Sequence, residues 1–213
     1  MSKLKTALAI GACLLAVGTT TALVGNVYKE EIKDWWTETF EKDDANQEYN
    51  YLDQYVETGE IEDLVLTAEK IKDNAFDIEE NPMILKGKLS LLNCKEIGYL
   101  SFYFQSGLEE LYAPSIERIE QQAFESCCLK KIDLGENISF IGEGAFMDSE
   151  AATLIIRNKE VPTFGELSAL QIDMTIYVPD ESLELYKTDE VLLEIFQDFN
   201  INDKIKPLSK YVE

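Results

Sequence analysis

One passage of this chain is written twice in succession. LEELYAPSIERIEQQAFESCC (residues 108–128) is followed directly by LKKIDLGENISFIGEGAFMDS (residues 129–149). Leu108, Leu111, Ala113, Ile119, Ala123 and Phe124 return as Leu129, Ile132, Leu134, Ile141, Ala145 and Phe146, while the polar positions drift. A tandem repeat of about this length constrains the fold more than any other feature, because no single unit can bury its own apolar face and neighbours must stack.

The same frame extends outward. The first apolar residue of the strand-like pair falls at Leu64, Leu89, Leu111, Ile132, Leu154 and Ile176, in steps of 25, 22, 21, 22 and 22 residues. These positions predict six rungs. An Ala-Phe mark recurs at Ala75-Phe76, Ser101-Phe102, Ala123-Phe124 and Ala145-Phe146, each preceded four residues earlier by Ile71, Ile97, Ile119 or Ile141. In the fifth copy the mark is expected at Phe164 and Leu167. Segments such as IEDLVL and LKKIDL alternate apolar and polar, which sends two side chains inward from a strand and their neighbours outward. The predicted class is therefore an α/β solenoid, mainly β, with each Phe a core plug.

The pattern L-x-x-L-x-L/P followed by I-x-x-I-G-x-x-A-F-x-x-C resembles the BspA-type leucine-rich repeat of bacterial surface and secreted proteins. ERIEQQAFESCC and ISFIGEGAFMDS carry the resemblance most clearly, and TIYVPDESLELYK and IKPLSKYVE look like the family's closing segments. It spans about residues 61–213. The resemblance implies a leucine-rich-repeat solenoid and a binding role. The departures are the long step before Leu89, the insertion IEENPMILKG, and Ser101 where the pattern expects Ala.

Ahead of the repeats, residues 6–25 carry no charge and follow Lys3 and Lys5. Twenty residues of helix span roughly 30 Å, the thickness of a hydrocarbon core. The leading reading is an N-terminal transmembrane signal anchor with everything beyond residue 25 outside the cytoplasm. A cleaved signal peptide, giving a secreted protein, is the alternative, and a lipoprotein signal at Cys13 ranks last because it leaves the apolar run after it unexplained. Tyr28, Trp35 and Trp36 are close enough to act as interfacial anchors or to pack on the first rung. The domain reading is 1–25 anchor or signal, 26–60 acidic stalk with a helix near 30–42, 61–179 solenoid, and 180–213 C-terminal cap. In the cap, Asp180 or Ser182 is placed to start one helix through SLELYKTDEVLLEIF, with Leu183, Tyr186, Val191 and Phe196 covering the open end.

Charge and composition narrow the function. Forty-one acidic residues stand against 19 basic ones, which argues against nucleic acid, whose phosphates need clustered Lys and Arg. There is no histidine, so imidazole catalysis and the commonest zinc ligand are absent. Cys13, Cys94, Cys127 and Cys128 show no paired metal spacing. Pairing of Cys94 with Cys127 or Cys128 stays open. GEGAF at 142–146 belongs to the repeat and lacks the lysine of a phosphate loop. No cofactor and no metal are expected, and the chain does not read as an enzyme.

What remains is the outward strand surface. One column is Asp63, Lys88, Glu110, Lys131, Thr153 and Thr175; the next is Val65, Ser90, Tyr112, Asp133, Ile155 and Tyr177. Tyr112, Ile155 and Tyr177 are expected to expose aromatic or apolar surface, and the candidate ligand-binding residues are Tyr112, Asp133, Ile155, Tyr177, Lys131 and Arg157. Ordinary strand propensity accounts for such residues equally well. The expected function is a membrane-anchored, externally displayed module that binds a protein or glycan on another surface, as in adhesion. The alternative is a structural component of a cell-envelope or virion-like assembly without a separate ligand.

Overall fold

The computed structural model describes residues 60–77, 83–149, 152–165, 170 and 173–212. The anchor, residues 26–59 of the expected stalk and Leu167 lie outside them, whereas Glu60, assigned to the stalk, begins the first strand. Among the described residues no helix is long and apolar enough to cross a membrane.

Parallel strands dominate. The longer sheet uses β1 (Glu60–Glu62), β2 (Val65–Leu66), β4 (Ile84–Leu91), β6 (Gly107–Ala113), β8 (Lys131–Leu134), β10 (Thr153–Ile156), β12 (Thr175–Val178) and β13 (Ile205–Pro207). The shorter uses β3 (Lys70–Ile71), β5 (Glu96–Ile97), β7 (Arg118–Ile119), β9 (Phe140–Ile141) and β11 (Thr163–Phe164). The chain alternates between the two sheets, and the five strands of the shorter one mark five turns of a mainly-β solenoid.

The registers follow the apolar frame. Leu89, Leu111, Ile132, Leu154 and Ile176 are successive partners in the long sheet, and Ile71, Ile97, Ile119 and Ile141 are partners in the short one. All nine side chains are buried, so like packs on like along the whole coil. Between the sheets each turn delivers its Phe inward. Phe76, Phe102, Phe124 and Phe146 stack with centroids 5.1, 4.9 and 5.6 Å apart. Backbone bonds tie these turns together, for Phe76, Phe102 and Phe124 donate their N–H groups to the carbonyls of Ser101, Ala123 and Ala145. Phe164 does not continue the ladder: it pairs in register with Ile141 and belongs to the short sheet, so it takes the place of the repeat's Ile, four residues ahead of where an Ala-Phe mark would begin.

Non-glycine residues adopt left-handed backbone at two recurring places per turn. Asn74, Leu100 and Gln122 do so just before the Ala-Phe mark, with Gly144 in the fourth copy, and Phe104, Ser126 and Asp148 do so two residues after the Phe. The coil tolerates this cost, about 1–2 kcal/mol per residue, because backbone hydrogen bonds join each of these turns to the next.

The long step before Leu89 has a structural account. β4 is eight residues long and pairs first with β1 and then with β2, which are separated by a kink at Asp63. Asp63 is left-handed (φ 52°), and its carboxylate accepts the Lys88 N–H at 2.8 Å. Gly87 opposes it with φ +68°, where a Cβ would collide with that carboxylate. The register slips there, between Gly87 and Lys88 against β6. Ser101, where Ala was expected, is buried and donates its hydroxyl to the Gly98 and Lys72 carbonyls.

The cap departs from the single expected helix. Asp180–Ser182 form a 3-10 turn, followed by α1 (Leu183–Lys187), α2 (Glu190–Ile195) and α3 (Ile201–Lys204). The break falls at Asp189, whose carboxylate accepts the N–H groups of Val191 and Leu192 and so starts a new helix. Tyr186 and Phe196 are buried and Leu183 and Val191 pack on the core, as expected for a lid, joined by Leu192 and Ile195. Strand β13 was not foreseen. It extends the long sheet by one, pairing Ile205 with Ile176, and ends on Pro207, which lacks an N–H to offer a further strand.

Candidate functional site

The strand face of the long sheet is built by alternation. On β10, Leu154 and Ile156 point into the core, so Ile155 between them points out. The same applies to Tyr112, Asp133 and Tyr177, and the register confirms that these four stand in one column. Lys88, Glu110, Lys131, Thr153 and Thr175 form the neighbouring column, again by direct pairing.

The exposure expected of that column is only partly present. Tyr112 and Tyr177 are half-buried, but Ile155 is 0% exposed and Asp133 is 8% exposed. Ile155 nevertheless lies outside the contiguous hydrophobic core. Its cover is therefore on the outer side. Its register partners on either side, Asp133 and Tyr177, are both engaged by further side chains. The Arg157 guanidinium, just past the end of β10, donates Nε and Nη2 to the two Asp133 carboxylate oxygens at 2.8 Å each, a bidentate fork. The acceptance of these bonds by Asp133 raises the Arg157 pKa above its ordinary value. On the other side the Tyr211 ring meets Tyr177 edge-on, 5.1 Å between centroids, and lies 5.4 Å from Lys131 Nζ.

The upper half of the face is arranged differently. Lys88 Nζ sits 5.3 Å from the Tyr112 ring centroid, and Tyr112 lies close enough to Arg157 to act on its charge. All six residues singled out from sequence thus lie near one another on the strand face: Asp133 bound to Arg157, Tyr112 within electrostatic reach of it, Lys131 and Tyr177 joined through Tyr211, and Ile155 in register between Asp133 and Tyr177. Sequence reasoning missed Tyr211 and Lys88. Tyr211 had no signal, because its place on this face depends on the path of the tail after β13.

The buried polar groups elsewhere are structural. Gln105 occupies the repeat position where the next copy has Cys127. It is fully buried, donates Nε2 to the Phe76 and Met83 carbonyls at 2.7 Å each, and accepts the Leu85 N–H at 2.8 Å. Cys127 donates its thiol to the Phe102 carbonyl, and burial pushes its pKa upward. Cys94 is pushed up to about 11 by burial. Cys94, Cys127 and Cys128 are all free thiols, which closes the pairing question left open by the sequence. Among the described residues no group of three His, Cys, Asp or Glu side chains is placed to hold a metal ion.

No curated protein matches the chain. The family model described as the BspA type leucine rich repeat region matches it in six copies, over residues 55–153 and 95–172. With its parallel coils, its Phe ladder and that match across more than half its length, the chain belongs to the BspA-type leucine-rich-repeat family.

Proposed function

We propose that the protein is a non-enzymatic binding module, membrane-anchored through residues 6–25 and displayed outside the cytoplasm, that engages a protein or glycan on another surface through the strand face of its long sheet. The observation that carries this reading is the composition of that face. The inward positions are consumed by the core, whereas Lys88, Tyr112, Lys131, Tyr177 and Arg157 bring cations and aromatic rings together at the surface in fixed register. Such a combination is typical of recognition surfaces, where aromatic and arginine side chains carry most of the affinity.

Cells expressing the full chain provide the test. Protease shaving of intact cells, with mass spectrometry of the membrane fraction, should find residues beyond 30 cut from outside and the N-terminus retained. The same cells should bind spots on an array of surface glycans and surface proteins, and Tyr112→Ala should lower that binding roughly ten-fold. An uncut, cytoplasmic protein overturns the display, and unchanged binding by Tyr112→Ala overturns the face.

A further inference from the structure

The long sheet does not simply end at β13. Strand order places β13 beyond β12, yet the Tyr211 ring touches Tyr177 of β12 and approaches Lys131 of β8. Between β12 and β8 lies β10, and neighbouring strands are about 4.8 Å apart. The tail therefore returns toward the strand face, with the Tyr211 ring against Tyr177 and within reach of the Lys131 ammonium; on β10, between the strands of those two residues, Ile155 is fully buried without belonging to the core. The reversal is pinned at its start, for Asp180 accepts both the N–H and the hydroxyl of Ser209. Val212, next after the ring, is 86% exposed.

We infer that the C-terminal segment Ser209–Val212 is a strap seated on the binding face, a resident occupant that an extended partner peptide carrying an aromatic side chain displaces. This rests on the reading of the strand face as the binding surface. The strap itself reveals the chemistry that the face accepts. It offers one aromatic ring, which packs edge-on against Tyr177 and takes the Lys131 ammonium over its face. Each contact is of modest strength, and the ring is held by one turn of chain rather than by the core. A seat of that kind is filled in the free protein and remains open to competition. It leaves Tyr112 and Lys88, further up the face, for first contact, while Ile155 and the covered edge of Tyr177 become available only once the strap has moved.

Cysteine accessibility tests the strap without any ligand. In the full chain carrying Cys128→Ser, Ile155→Cys is treated with a maleimide and the peptide containing position 155 is quantified by mass spectrometry. Labelling should be slow with Tyr211 or Tyr211→Phe in place and should accelerate roughly ten-fold with Tyr211→Ala. Thr153→Cys, a half-buried neighbour on the same strand, serves as a second probe should Ile155→Cys disturb the fold. Equal labelling rates for Tyr211 and Tyr211→Ala overturn the strap, whatever the face binds. Cells displaying Tyr211→Ala should also bind the array several-fold more strongly than cells displaying the unaltered chain. Accelerated labelling without any change in binding removes the competition with a partner and, if Tyr112→Ala is equally silent, the binding face as well.

Discussion

Phe102 and Phe124 stack with their ring planes within 3° of parallel and their centroids 4.9 Å apart. They come from successive turns, and the spacing is that of neighbouring parallel strands, so the aromatic ladder repeats at the pitch of the coil itself. Phe124 has a Phe on either side, with Phe146 5.6 Å away.

Phe124→Ala should therefore remove two stacked contacts and leave a cavity at the centre of the solenoid, costing about 3–5 kcal/mol in a urea melt. Phe124→Leu should cost less. A loss below about 1 kcal/mol for the alanine variant would contradict the central role of the ladder.

Gln105 joins three backbone groups across the irregular step before Leu89. Gln105→Leu keeps the apolar bulk but takes the side-chain partner from the buried Leu85 N–H and Met83 carbonyl. An orphaned buried group costs about 1–3 kcal/mol, so the variant should melt well below the parent. Gln105→Cys, which introduces the residue of the following copy, should fall between the two because one thiol can reach only one carbonyl. Equal melting of all three would show that the clamp is dispensable.

The thiols should separate cleanly by reactivity. Cys94 and Cys127 are buried with their pKa values raised by burial, and the thiolate is the reacting species. Cys128 is half-buried. Under native conditions near pH 8, a maleimide should modify Cys128 among these three and reach Cys94 and Cys127 only after denaturant is added. Modification of Cys127 in the native protein would mean that the Phe turns open far more readily than their packing implies.

Acid should loosen the strap at its anchor. The hydroxyl and N–H of Ser209 hold the Asp180 carboxyl below its ordinary value of 3.8. A depressed carboxylate stabilises the folded contact fully above the unfolded value, and that contribution is lost as pH falls through the lower folded value. The Ser209 amide resonance should stay constant above about pH 5 and move toward its unbonded position only below 3.8. Asp180→Asn should abolish that titration. A midpoint above the ordinary carboxylate value would contradict the hydrogen-bonded arrangement.

The amino-acid sequence alone determined the solenoid, its period and the identity of nearly every inward residue. That information is local and repeated: Leu111 and Ile132, or Phe124 and Phe146, advertise their equivalence because the same structural need recurs about 22 residues later. It also brought together the columns containing Tyr112, Asp133, Ile155 and Tyr177, since alternation along a strand sets which residues face outward. Where the repeat decays, that information stops. The slip of Phe164 into the short sheet, the helix break at Asp189, the Gln105 clamp and the addition of β13 each depend on one particular neighbour rather than on a pattern. The burial of Ile155 is the clearest case. Its outward direction follows from the strand, but the arrangement on either side of it, with Arg157 gripping Asp133 and Tyr211 returning against Tyr177, does not. Only the tertiary structure could decide this, because a non-repeated tail leaves no periodic trace and its seat exists only once the rungs are stacked.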